Sequence, residues 1–163
     1  KLKLSKNMIN RKNLPVYEFS KEGYEKISAE EKKLTEARVL AVEDLAKARA
    51  MGDLSENGYY KAAREKLSSI DRRIRKLKLM IKYAKVIEKK NGEVVDFGSK
   101  IKVKVRGIER EFEIVGKEES NPEEGKISNI SPIGKALLGK KRGDKVVVKI
   151  PAGEVEYEVV EVE

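Results

Sequence analysis

Met51-Gly52-Asp53-Leu54-Ser55-Glu56-Asn57-Gly58 is a short polar turn set between two long helical patterns. Upstream, Leu34, Ala37, Ala41, Leu45 and Ala48 recur at spacings of three and four. Downstream, Ala63, Leu67, Ile70, Ile74, Leu77, Ile81 and Ala84 alternate spacings of four and three, a sustained heptad seam. Two such helices joined by a few residues fold back antiparallel, so the turn sits at the far end of a rod. A first helix over residues 20–50 is about 45 Å long at 1.5 Å per residue. The second is expected to end near residues 87–90, where Asn91-Gly92 breaks it.

Ser20 offers an N-cap, but Gly23 stands where a capping box needs Glu or Gln, so that box is incomplete. Gly52 suits the C′ position of helix one. Asp53 can cap helix two, and Glu56 three residues on completes an Asp version of the capping box. Two readings of these acids therefore stand, local capping and chemistry. They do not exclude each other, because a capping residue at a rod tip stays partly exposed.

The chain has no Cys and no His. That removes disulfides, thiolate metal sites, thiol nucleophiles, the commonest general base and the commonest zinc ligand. No apolar run approaches the ~18 residues of a membrane span, and no secretory signal is expected from the Lys- and Asn-rich first residues. A cytoplasmic protein is expected. Residues 1–90 carry 24 Lys+Arg against 13 Asp+Glu, net +11, while residues 91–163 carry 13 against 15, net −2. A basic rod fits a polyanionic neighbour, RNA or DNA; the plainer reading is a solvated coiled-coil surface.

Residues 1–13 lack periodicity and are expected to be a disordered tail or an expression remnant. Residues 14–90 form the hairpin, with Val16 and Phe19 packing against the neighbouring domain. Beyond residue 91 the period changes from seven to two. Ile101, Val103 and Val105 alternate with lysines; Phe112 and Ile114 with glutamates; Val146, Val148 and Ile150 with lysines; Val155, Tyr157 and Val159 with glutamates. These are half-buried antiparallel strands. Pro151-Ala152-Gly153 closes the last hairpin, and Pro132 to Gly139 bounds one short helix. The fold class is α+β: an antiparallel coiled-coil hairpin followed, over 91–163, by an antiparallel sheet with one short helix.

Gly-Asp-Leu-Ser-Glu-Asn at 52–57, followed by Tyr60 and Ala62-Ala63-Arg64-Glu65, resembles the tip signature of the bacterial Gre transcript-cleavage factors. Ile127-Ser128, Ser131 to Lys140 with Gly143-Asp144, and Pro151-Ala152-Gly153-Glu154 with Tyr157 resemble the same family farther along. The details are closer to the GreA type than to GreB. The resemblance runs from about Tyr17 to Glu163. It implies a coiled coil that enters the secondary channel of a backtracked RNA polymerase, and an FKBP-like carboxy-terminal domain that docks outside. It implies that Asp53 and Glu56 are the catalytic acids, sharing Mg²⁺ with the polymerase, and that Arg49 and Arg64 face the nascent RNA 3′ segment. The protein is expected to act as a monomer, without a membrane, and to stimulate cleavage by polymerase rather than be an enzyme itself. One departure is Asn57-Gly58-Tyr59-Tyr60, where family tips often read Asn-Ala-Glu-Tyr.

The chemistry suits two carboxylates. Mg²⁺ is typically held by one or two of them plus waters and substrate phosphates. Alone the pair is a poor site; beside a partner's metal and an RNA phosphate it is complete. Two rivals share the shape. A channel-binding inhibitor carries extra tip acids, whereas this tip has Asp53 and Glu56 only. A prolyl-isomerase or chaperone-like module needs an aromatic proline pocket, for which 6% aromatics and no Trp are thin material. Tyr59 and Tyr60 offer faces for base stacking, though Tyr60 lies three residues before Ala63 on the seam, where packing is its default role.

Overall fold

A computed structural model describes residues 15–51, 58–88, 92–150 and 153–163. Helix α1 spans Lys21–Ala50 and helix α2 spans Gly58–Lys82. They pair antiparallel along their lengths. Ala41, Ala48 and Ala63 are buried where the helices meet, and their small side chains allow a close approach. Ile74, Leu77 and Met80 fill the seam nearer the base. Leu77 is fully buried, which stabilises the hairpin by roughly 1.5–3 kcal/mol.

Ion pairs between the helices fix their register. Arg73 grips Glu30 through two bonds of 2.7 Å, Arg38 meets Asp71 at 2.6 Å, and Lys66 meets Asp44 at 3.2 Å. The Arg73 hydrogen bonds hold the Glu30 carboxyl below the usual carboxylate range, against a smaller opposing effect of burial. A depressed acid contributes stability above its unfolded value and loses it as pH falls through the lowered folded value. The pair therefore helps at neutral pH and is lost only in acid. Glu30→Gln is expected to lower the melting temperature modestly at pH 7 and to leave it unchanged at pH 2, as read by circular dichroism at both pH values. Because both groups are largely exposed, the neutral-pH loss stays below about 1 kcal/mol.

Helix α2 stops earlier than its heptads suggest. Tyr83 is a turn, and Ala84–Val86 is strand β2, paired parallel with strand β1, Tyr17–Phe19. The cause is non-local. Tyr17 N–H donates to the Tyr83 carbonyl at 3.1 Å, and Ile87 N–H donates to the Phe19 carbonyl at 2.9 Å. That pairing draws the backbone off the helical path after Lys82. Phe19 is fully buried, as expected, whereas Val16 is 65% exposed and lines a shallow groove with Lys117, Asn129 and Ile130.

The second part holds strands β3 (Lys100–Val105), β4 (Ile108–Val115), β5 (Lys126–Ser128), β6 (Lys145–Ile150) and β7 (Gly153–Val162), with helix α3 (Pro132–Leu137) between β5 and β6. Their order in the sheet is β5-β4-β3-β7-β6. The sheet is mixed rather than wholly antiparallel, because β5 runs parallel to β4. Two short 3-10 turns, Lys117–Glu119 and Pro122–Glu124, fill the β4–β5 crossover and return the chain in the same direction. The core joins Ile101, Val103, Ile114, Val146, Val148, Val155, Tyr157 and Val159 to Leu137 of α3. The alternating residues face the other way as a checkerboard. Lys100, Lys102 and Lys104 of β3 stand opposite Glu113, Glu111 and Glu109 of β4, and Lys145 and Lys149 of β6 stand opposite Glu158 and Glu154 of β7. Such cross-strand pairs favour this register over a one-residue slip.

Candidate functional site

The sequence directs attention to the hairpin end farthest from the sheet. Helix α1 finishes at Ala50, with Met51 as its C-cap, and α2 resumes at Gly58. Asp53 and Glu56 fall on residues 52–57, outside the described residues, as do the expected caps at Gly52 and Asp53. The flanks are defined. Ala48 and Ala63 are buried, so the two helices stay in contact up to the last turn. At 1.5 Å per residue, the 30 residues of α1 separate this end from the base by about 45 Å.

Arg49 sits on the exposed side of the last turn of α1. Its guanidinium lies over the Tyr60 ring of α2, 6.0 Å from the centroid. This is a cation–π contact across the hairpin, at the outer limit of the useful range. Tyr60 is half-buried, in keeping with its seam position, and the contact gives Arg49 a positioning role the sequence reading did not assign. Arg64 is exposed one turn into α2. The two arginines thus flank the acid-bearing segment from opposite helices. Met51 and Tyr59 are 70% and 45% exposed, an apolar surface beside the segment. Exposure of Tyr59 is compatible with a base-stacking role.

Can the neighbourhood hold a metal unaided? Among the described residues no group of three or more His, Cys, Asp or Glu is placed to do so. Asp44, on the same helix as Arg49, is committed to Lys66. Asp53 and Glu56 are the acids that residues 52–57 bring to this end. Two carboxylates fit a divalent ion shared with other ligands and are too few to enclose one. No described helix is long and apolar enough to cross a membrane.

Comparison with known proteins bears on both parts of the chain. Residues 17–86 match the family model "Transcription elongation factor, N-terminal", and residues 89–163 match "Transcription elongation factor, GreA/GreB, C-term". Transcription elongation factor GreA of Helicobacter hepaticus is 46% identical over 145 residues, covering 86% of this chain and 89% of that protein. The GreA proteins of a Nitratiruptor species and of Geobacillus kaustophilus are 44% and 42% identical, covering 86% and 95% of this chain and 88% and 99% of theirs. The crystal structure of GreA factor homolog 1 from Thermus thermophilus aligns at 28% identity with a TM-score of 0.45, over 91% of this chain and 99% of that one. With both halves of the molecule matched in order, the chain belongs to the GreA/GreB family of transcription elongation factors and is of the GreA type.

Proposed function

We propose that the protein is a transcript-cleavage factor. Docked on RNA polymerase through its sheet-bearing part, residues 91–163, it inserts the rod into the secondary channel and brings Asp53 and Glu56 to the RNA 3′ end of a backtracked complex. What supports this reading is the acid-bearing segment between two long helices, at the end remote from the sheet, in a chain of this family. The polymerase owns the active centre; the factor contributes charge and position. It acts as a monomer in the cytoplasm.

The two carboxylates suit a Mg²⁺ shared with polymerase and RNA phosphate. When bound, such an ion activates water and neutralises charge developing on the phosphate. Arg49 and Arg64 hold the RNA by phosphate contacts, which set position rather than base choice. The test is an arrested elongation complex carrying 5′-labelled RNA. Added protein with Mg²⁺ is expected to shorten that RNA from its 3′ end and restore elongation. Unchanged RNA at saturating protein overturns the reading, and slowed elongation without backtracking supports the inhibitor alternative.

Arg49 has a measurable share. An exposed cation–π contact is worth about 0.5–1 kcal/mol, or roughly 2–5-fold in rate. Arg49→Ala is expected to slow cleavage by at least that factor in the same assay. Arg49→Lys keeps the charge but loses the planar fork, and should fall between the two.

A further inference from the structure

The incomplete capping box at the start of α1 is completed from elsewhere in the chain. Ser20 is the N-cap, and its hydroxyl oxygen accepts from Gly23 N–H at 2.9 Å. In a local box, the side chain three residues on reaches back to the cap's own N–H. Here that residue is glycine. The N–H of Ser20 donates instead to Glu119 Oε1 at 2.6 Å, and the Ser20 hydroxyl donates to Glu119 Oε2 at 2.7 Å. Glu119 ends the 3-10 turn Lys117–Glu119 that follows β4. Both of its oxygens are taken by one residue 99 positions away. A carboxylate also suits the positive end of the α1 dipole.

The surrounding geometry has been left open for this contact. A Cβ at Gly23 would overlap the Glu119 carboxylate, and a Cβ at Gly116 would overlap the Glu18 carbonyl of β1. The Asn129 amide donates to Glu18 at 2.8 Å, and Lys76 of α2 faces Glu118 at 3.6 Å. The sheet-bearing part thus meets the base of the rod through directional polar contacts, beside the buried Phe19.

We propose that Glu119 is a positioning residue that locks the direction of the rod relative to the sheet. The proposal rests on the cleavage function inferred above for its consequence, though not for its geometry. A 45 Å rod converts a 5° error at its base into about 4 Å at its tip, by the helix length. A displacement of 1 Å in a reacting group can lower a rate by ~10²-fold. Losing the lock therefore affects the tip strongly although every tip residue is intact.

The chain has no Cys, so Ser69→Cys on α2 and Lys135→Cys on α3 give unique spin-label sites for a distance distribution between rod and sheet. Both positions are exposed. With wild-type Glu119 a single narrow distribution is expected. Glu119→Ala should broaden it, and Glu119→Gln, whose amide oxygen still accepts from Ser20 N–H, should restore it. In the arrested-complex assay, label-free Glu119→Ala should lose at least about tenfold in cleavage rate at saturating factor, with a smaller change in the half-saturating concentration, and Glu119→Gln should recover most of the rate. A narrow wild-type-like distribution in Glu119→Ala overturns the lock, whereas a broadened one with an unchanged saturated rate supports the lock and overturns its effect on the tip. If the unsubstituted protein fails to stimulate cleavage, the proposed function falls, and the distance distributions alone then support or overturn the lock.

Discussion

Asp53→Ala and Glu56→Ala are each expected to give folded proteins that still bind polymerase and no longer shorten its RNA. Removing one of two carboxylates halves the charge the factor brings to the reaction. Losses of about 10²–10³-fold are typical when one preorganised electrostatic group is deleted from an active centre. The competing reading, that the two acids only cap α2, predicts a different size and a different observable. Loss of a cap costs about 0.5–2 kcal/mol of stability. That corresponds to a fall of a few degrees in melting temperature for a chain of this length, without a specific effect on rate. Asp53→Asn and Glu56→Gln separate the two, since Asn caps as well as Asp and Gln serves a capping box as Glu does. Cleavage lost in these isosteres, with melting unchanged, supports the chemical role. Cleavage retained in both sinks it and leaves capping as the whole account.

Phe19→Ala should give the largest loss of stability. Phe19 is the largest side chain in the described structure with no exposed surface, and it sits in a three-residue strand. That strand pairs with β2, touches the Lys117–Glu119 turn and leads directly into α1. Truncating a buried Phe to Ala costs about 3–5 kcal/mol, through lost burial and the cavity left behind. At roughly 2–4 °C per kcal/mol for a chain of this size, the melting temperature should drop by about 6–20 °C. Thermal unfolding followed by circular dichroism reads this directly. A drop under about 2 °C would show that the site collapses around the smaller side chain, and that the strand is not essential to the base of the rod.

The hairpin was legible because its seam repeats over several turns, and Ala63, Ile74 and Leu77 are buried as the heptad requires. The strands were legible by alternation, with Ile101 and Val103 buried between exposed or half-buried lysines. What escaped depends on distant partners. Ala84 keeps the helical spacing, yet its backbone belongs to a strand because Tyr17 pairs with it. β5 has only three residues, too few for a pattern, and its parallel direction follows from the turns before it. Gly23 was visible as a gap in a capping box, but nothing local identifies Glu119 as the group that fills it. The candidate site was read from the tip motif and its position between the helices. The pairing of Arg49 with Tyr60 needed coordinates, because it depends on the register between two helices.

The Lys–Glu checkerboard on the sheet has a consequence for encounter kinetics. With its charges nearly cancelled, the sheet-bearing half contributes little to the far field, and the surplus of +11 belongs to residues 1–90. Within that span the described residues 15–51 and 58–88 carry 17 Lys+Arg against 11 Asp+Glu, net +6, so the described charge is unequally divided between rod and sheet. Near a negatively charged body the molecule experiences a torque before any contact forms, turning its cationic half forward. That alignment acts over about one Debye length, ~8 Å at physiological ionic strength, and weakens as salt is raised.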